Sequence, residues 1–161
     1  MIGLLKEIAE FCPKDKALLG LDVGKKTIGI ALCAGGMTLA TPITTIRRVK
    51  FGKDVEAIKK IVREYNVGGF VMGLPVNMDG SEGPRAQSIR DFAAEFERQI
   101  GINSPWIAFW DERLSTVSVE EFVGETVGKR KTRVNAKASG LIDKLAAQMI
   151  LQGAVDYMDM N

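Results

Sequence analysis

Apolar residues in the first third of the chain form short runs separated by turn-forming residues. The run Ala17–Val23 is apolar or glycine at every position except Asp22, which is typical of a strand buried on both faces of a sheet. Thr27–Cys33 predicts a second strand and Thr38–Ile46 a third. Pro42 indicates that the third strand lies at a sheet edge, because proline donates no hydrogen bond to a neighbouring strand.

The rest of the chain alternates between helical and strand patterns. Apolar residues recur at helical spacing after the third strand, at Val55, Ile58, Ile61, Val62 and Tyr65. The apolar run "VGGFVMGLP" predicts a strand, Pro84 opens a helix, "WIAFW" predicts another strand, and a last helix covers 140–158. Three antiparallel strands followed by alternating helices and strands predict an α/β domain with a mixed five-stranded sheet flanked by helices. This pattern matches ribonuclease-H-like domains.

One domain is predicted over residues 1–161, of which 1–16 form an N-terminal extension. The extension reads "MIGLLKEIAEFCPKDK" and predicts a short amphipathic helix or an ordered arm, since charged residues interrupt it where a signal peptide needs an apolar core. No apolar run approaches the roughly 20 residues of a membrane span, so no membrane partner is expected.

The composition restricts the chemistry that a site can use. The chain has no histidine, which excludes a histidine general base and histidine-ligated zinc. Its two cysteines, Cys12 and Cys33, are too few for a disulfide framework or a four-cysteine metal site, and they fit a cytoplasmic location. Any metal site must therefore use oxygen ligands, which favours Mg²⁺, Mn²⁺ or Ca²⁺.

Carboxylates occur at three places with apolar neighbours. Asp22 lies inside the first predicted strand, where an unpaired charge costs several kcal/mol, so it needs a cation, a turn of backbone N–H groups or a metal. Asp111 and Glu112 close the last predicted strand; because adjacent strand residues point to opposite faces, at most one of them joins Asp22. The other caps a following helix or pairs with Arg113. The residues alone leave that choice open.

The third carboxylate, Asp143, belongs to the last predicted helix. A helical wheel puts it at the margin of the buried face, where it either leans over the sheet edge or is a plain boundary residue. The predicted centre of that face comprises Ile142, Leu145, Ala146, Met149 and Gly153. Three converging carboxylates repel one another unless cations neutralise them. Two divalent ions about 4 Å apart would do so, and would also activate a water for attack on a phosphodiester.

Basic residues are clustered although the net charge is only +2. The clusters are "IRRVKFGK" and "GKRKTRVNAK", and both are either phosphate contacts or solvated loops. Asn77, Asp79 and Ser81 precede Pro84 and either present a phosphate site or only satisfy a turn. The candidate nucleic-acid-binding residues are Lys25, Lys26, Arg85, Arg113, Lys129, Arg130, Lys131 and Arg133.

Four motifs resemble those of the bacterial YqgF-type nucleases, described as Holliday-junction-resolvase-like proteins and as pre-16S rRNA nucleases. They are "GLDVGKKTIGIAL", "VMGLPVNMDGSEGPRAQSIRDFA", "DERLST" and "LIDKLAAQMILQ". The resemblance implies a ribonuclease-H-like fold and Mg²⁺- or Mn²⁺-dependent phosphodiester hydrolysis, with Asp22, Glu112 and Asp143 as catalytic metal ligands. It favours pre-16S rRNA as the substrate over branched DNA. The long extension 1–16 and the basic stretch before the last helix depart from the usual pattern.

Two other function classes compete with a nuclease. An Asp-x-Gly sequence followed by a hairpin also opens ATP-binding phosphotransferases, but those need two lobes and more than 161 residues. A non-catalytic nucleic-acid-binding module has no reason to keep mutually repelling acids. We expect a monomer or a weak homodimer.

Overall fold

The strands of the protein form a six-stranded mixed sheet in the computed structural model, which describes residues 1–114 and 140–160. The strands are β1 (Ile2–Leu4), β2 (Ala17–Val23), β3 (Thr27–Cys33), β4 (Thr41–Arg47), β5 (Val67–Leu74) and β6 (Trp106–Asp111). The helices are α1 (Leu5–Ile8), α2 (Phe51–Tyr65), α3 (Pro84–Gln99) and α4 (Leu141–Met160), and 3₁₀ turns occupy Ala9–Phe11 and Glu112–Leu114. The order across the sheet is β1-β6-β5-β2-β3-β4.

The predicted antiparallel meander is present as β2, β3 and β4, with β4 at the edge of the sheet as Pro42 indicates. Strands β5 and β6 extend the sheet in parallel from β2. The predicted count of five strands is one too few, because the N-terminal extension adds β1 in parallel to β6. A three-residue strand carries too little alternation to be read from the sequence, and it exists because β6 offers it a free edge.

Helices cover both faces of the sheet. Alternate residues of each strand point to opposite sides, which divides the core into two layers. One layer joins the sheet to α2 and α3, and its buried members include Leu19, Leu21, Ile28, Ile30, Phe70, Phe96 and Ile107. The other joins it to α4, and its buried members include Leu18, Ala31, Val71, Ala108, Trp110, Ala147 and Leu151. None of the described helices is long and apolar enough to cross a membrane.

The buried face of α4 differs from the predicted one. The buried residues are Leu145, Ala147, Ile150, Leu151, Ala154 and Val155, whereas Ile142, Ala146, Met149 and Gly153 are only partly covered. The helical wheel fails here because apolar residues occupy most of the helix circumference, so its centre is poorly defined. Asp143 is in phase with Ala147, Leu151 and Ala154, and it therefore lies on the sheet-facing side of α4 rather than at the margin.

Candidate active site

Glycines in the sheet bring α4 close enough to place Asp143 beside β2. A Cβ at Gly20 would lie 2.6 Å from the Leu151 Cβ, and a Cβ at Gly29 would lie only 1.9 Å from the Asp143 carbonyl oxygen. Gly29 is the direct partner of Asp22 in the β2–β3 pair. The backbone of Asp143 therefore passes directly over the residue next to Asp22.

Two threonine hydroxyls hold the start of α4 on the sheet. Thr27 Oγ1 donates to Asp143 Oδ2 at 3.0 Å, and Thr45 Oγ1 donates to the Gly140 carbonyl at 2.6 Å. Both threonines point toward α4 from neighbouring strands, β3 and β4. Sequence reasoning missed both, because their role depends on strand pairing and no local motif signals it.

The surroundings of the Asp22 carboxylate disfavour its ionised form. Burial, and then the negative charges of Glu112 and Asp143, raise the pKa of Asp22 from 3.8 to about 7, while Arg85 opposes the shift. Within the described part of the chain no hydrogen-bond donor meets this carboxylate. Asp22 is therefore near enough to both Glu112 and Asp143 for their charges to disfavour its ionised form.

The structure places the side chains of Asp111 and Glu112 in different surroundings. Asp111 is paired with Arg113, with Nη2 2.7 Å from Oδ2, and the hydrogen bonds from Arg113 lower the pKa of Asp111. Glu112 instead turns over β5, where a Cβ at Gly73 would lie 2.6 Å from Glu112 Oε1. Burial raises the pKa of Glu112. Glu112 thus shares the environment of Asp22, and Asp111 belongs to an ion pair beside it.

Four of the eight predicted phosphate-binding residues lie at this end of the sheet, namely Lys25, Lys26, Arg85 and Arg113. Arg85 donates from Nη2 to the Val23 carbonyl at 2.8 Å, directly after Asp22. Lys25 and Lys26 are exposed in the β2–β3 turn. Arg113 donates to the carbonyls of Asn77 and Met78 at 3.3 and 3.4 Å in addition to its pair with Asp111, so its guanidinium is engaged within the chain. The other four lie outside the described residues: Lys129, Arg130, Lys131 and Arg133.

The loop between β5 and α3 forms its own turn. Asn77 Nδ2 donates to Ser81 Oγ at 3.0 Å, and the Ser81 backbone N–H donates to Asp79 Oδ1 at 2.9 Å. Gly80 adopts a left-handed φ of 90°. These contacts agree with the turn-satisfying interpretation of the three polar residues. Pro84 begins α3, as predicted.

The donor chemistry of Asp22, Glu112 and Asp143 fits a divalent cation that prefers oxygen ligands, because a positive ion would relieve the repulsion that raises the pKa of Asp22. Among residues 1–114 and 140–160, no group of three carboxylate or cysteine side chains lies close enough together to hold a metal ion. The acids lie at the end of the sheet where β2 and β6 end, and none of them lines the cavity of about 710 Å³ whose lining includes Leu18 and Cys33.

Comparisons with known proteins agree with this fold and show the family of the chain. Residues 16–157 match the family model described as RuvX, Holliday junction resolvase. Proteins from Paramagnetospirillum magneticum and Paracoccus denitrificans are 48% and 49% identical over 93% and 96% of this chain and 92% of their own, and both are named "Putative pre-16S rRNA nuclease". The T. thermophilus RuvC solved in complex with a Holliday junction substrate shares the fold, with a TM-score of 0.55 at 10% identity over 91% of this chain and 96% of that one.

The structural likeness to RuvC confirms the predicted ribonuclease-H-like architecture, with β1 as the added strand. The match to the family model and to the curated relatives confirms the resemblance that the four motifs indicate. The chain therefore belongs to the RuvX family, whose model is described as a Holliday junction resolvase.

Proposed function

We propose that the protein is an endonuclease that hydrolyses phosphodiester bonds at the end of the sheet that carries Asp22, Glu112 and Asp143. The observation that carries this proposal is the position of Asp143 over Gly29, the direct partner of Asp22, and burial together with the charges of Glu112 and Asp143 raises the pKa of Asp22 to about 7. Mutually repelling carboxylates destabilise a fold, and they are useful where they bind a cation or handle protons. Names and family descriptions of the relatives support a nuclease.

In this proposal Asp22, Glu112 and Asp143 hold Mg²⁺ or Mn²⁺. When bound, such an ion supplies Lewis-acid stabilisation of the charge that develops on the phosphate oxygens during hydrolysis. The chain's own residues orient the ligands: Thr27 holds one oxygen of Asp143 through its hydroxyl. Arg85 anchors the end of β2 through the Val23 carbonyl and contributes positive charge beside the acids.

The substrate that we propose is pre-16S rRNA, processed at its 5′ end in the cytoplasm during ribosome assembly. Relatives that align over nearly their whole length carry that substrate in their name. Lys25, Lys26, Arg85 and the basic stretch Lys129–Arg133 would contact its phosphates, in one domain acting as a monomer or weak dimer. The family description favours one alternative, the resolution of four-way DNA junctions, which needs two sites in a symmetric dimer.

The test is cleavage of a precursor 16S rRNA fragment beside a synthetic four-way DNA junction. Each probe is incubated with Mg²⁺, Mn²⁺ or EDTA, and with wild type or Asp22→Asn. We expect the RNA to be cut, the cut to be lost in EDTA, and Asp22→Asn to fold normally without cutting. Cleavage that survives in Asp22→Asn would contradict the proposed mechanism.

Other outcomes separate the alternatives. Symmetric cutting of the junction alone would assign the protein to DNA recombination. Binding of either probe without cutting under any metal condition would identify a non-catalytic nucleic-acid-binding module.

A further inference from the structure

Arg47 occupies a position beside the acidic cluster that the proposed mechanism does not use. It ends the edge strand β4 and pairs directly with Thr27 on β3. Side chains directly opposite one another in an antiparallel pair lie on the same face of the sheet. Since Thr27 reaches Asp143 on the α4 side, Arg47 leaves the sheet on that side too.

The alternation along β4 gives the same orientation independently. Thr45 lies two residues before Arg47, and its hydroxyl donates to the Gly140 carbonyl at the start of α4. Residues two apart in a strand share a face. Arg47 is therefore one position further along the row of side chains that supports α4, at the end of the sheet where α4 begins.

Arg47, the last residue of β4, and Arg48, which follows it, differ in the contacts that their side chains make. Arg48 donates from Nη1 to the Gly24 carbonyl at 2.6 Å, lies 3.9 Å from a carboxylate oxygen of Asp54, and covers the Phe92 ring at 5.3 Å. Arg47 is exposed, and within the described parts of the chain it forms no ion pair or hydrogen bond through its side chain. Arg48 is thus engaged in the local fold, whereas the charge of Arg47 has no partner among the described residues.

Two further cations lie beside Arg47. The Arg48 backbone N–H donates to the Lys26 carbonyl at 2.8 Å, which holds the exposed Lys25–Lys26 turn against the β4 exit. Lys50 is also exposed, but it begins α2, which packs on the face of the sheet opposite to α4. Within residues 1–114 and 140–160, no acidic side chain forms an ion pair with Lys25, Lys26 or Arg47. We call these three residues the edge cluster.

We propose that the edge cluster binds the phosphate backbone of the nucleic-acid strand on one side of the scissile bond, with Arg47 contacting the phosphate nearest to the acids. The inference rests on the proposed function for its ligand class. A guanidinium donates two parallel hydrogen bonds to a phosphate, and such contacts position a strand without reading its sequence. The cluster therefore supplies affinity and register rather than base specificity.

The experiment measures binding of a fluorescein-labelled precursor 16S rRNA fragment and a labelled four-way DNA junction across a salt series, in EDTA to keep both probes intact. The variants are Arg47→Gln and the matched control Arg63→Gln, an exposed arginine in the last turn of α2, at the opposite end of that helix. We expect Arg47→Gln to weaken binding about 5- to 20-fold and to lower the slope of log Kd against log salt by about one. Arg63→Gln should match wild type in both, and a thermal melt of each variant verifies folding.

Unchanged affinity and salt slope in Arg47→Gln would overturn the inference, as would an absence of measurable binding by wild type. The result is independent of cleavage. If Arg47→Gln weakens binding while the wild-type protein cuts neither probe, the edge cluster stands and the nuclease proposal fails. If the wild-type protein cuts a probe but Arg47→Gln binds that probe like wild type, the nuclease proposal stands and the inference about the edge cluster fails.

Discussion

The hydroxyl of Thr27 donates a hydrogen bond to Asp143, with Oγ1 3.0 Å from Oδ2, and joins residues 116 positions apart in the chain. The contact fixes one oxygen of the carboxylate. Within the described residues the other oxygen, Oδ1, accepts no hydrogen bond. Thr27 thus orients the Asp143 carboxylate through one of its two oxygens.

Replacing Thr27 with valine keeps the side-chain shape and removes the donor. We expect Thr27→Val to lower the cleavage rate by about 10- to 100-fold, because a hydrogen bond to a charged group contributes about 1.5–3 kcal/mol. The Mg²⁺ concentration that gives half of the maximal thermal stabilisation should also rise. Thr27→Ser restores the donor and should behave like wild type. A fall in melting temperature with no change in that Mg²⁺ midpoint would contradict a positioning role.

The charge of Asp22 should make the metal-free protein less stable as the pH rises. Its pKa is about 7 in the folded protein against an ordinary 3.8, so the folded state holds the proton more tightly than the unfolded chain does. Its contribution to stability is therefore fully present below about pH 4 and is lost as the pH rises through 7.

Asp22→Asn removes this effect. In EDTA we expect the variant to be more stable than wild type by on the order of 2 kcal/mol at about pH 8 and to differ little at about pH 4. Denaturant unfolding at the two pH values measures the difference. Asp159→Asn, at an exposed position of α4, serves as the control and should follow wild type at both. Equal effects of Asp22→Asn at both pH values would contradict the argument.

Gly29 and Gly52 give opposite predictions for the same substitution. A Cβ at Gly29 would lie 1.9 Å from the Asp143 carbonyl oxygen, so Gly29→Ala must lift α4. We expect a loss of about 3 kcal/mol or more in unfolding free energy, and loss of cleavage. Gly52, in the first turn of α2, has nothing within 4 Å of its Cβ position. Gly52→Ala should stabilise by about 0.5–1 kcal/mol, as thermal melts of both variants would show.

Substitutions of Asp111 and of Glu112 should have different effects on the cleavage rate. Glu112→Gln removes a charge beside Asp22, and we expect cleavage to fall at least 100-fold with the fold intact. Asp111→Asn disturbs a pair whose side chains are 24% and 37% exposed, which predicts a cost of about 0.5–1 kcal/mol and cleavage within about threefold of wild type. The reverse ranking would identify Asp111 as the catalytic carboxylate.

Continuous apolar runs bounded by turn-forming residues predicted β2, β3, β5 and β6 with nearly their observed limits. Proline marked both the edge position of β4 and the first residue of α3. The face of α4 could not be predicted in this way, because a helix that is apolar nearly all round has no pronounced polar side. Contact with glycines of the sheet decides its orientation instead.

The sequence predicted which acidic residues form the candidate site, but it did not predict how they are arranged. Sequence spacing left Asp111 and Glu112 equivalent, since only the ion pair with Arg113 separates them. Thr27 carried no recognisable motif, and the basic run that contains Arg47 did not distinguish a phosphate contact from a solvated loop. Their relation to Asp143 follows from the β3–β4 register, which a sequence pattern does not state.

The short strand β1 has a consequence for how the molecule behaves in a crowded solution. It covers β6, whose backbone would otherwise present a row of unpaired N–H and C=O groups, and the Trp106 indole fastens the arm through the Ile8 carbonyl at 2.9 Å. An apolar strand left open in this way is a template for adding strands from other copies. The arm thus replaces the six-residue edge of β6 by an edge of three residues, and weakening it would first produce self-association through β6, with Asp22 on β2 still in place.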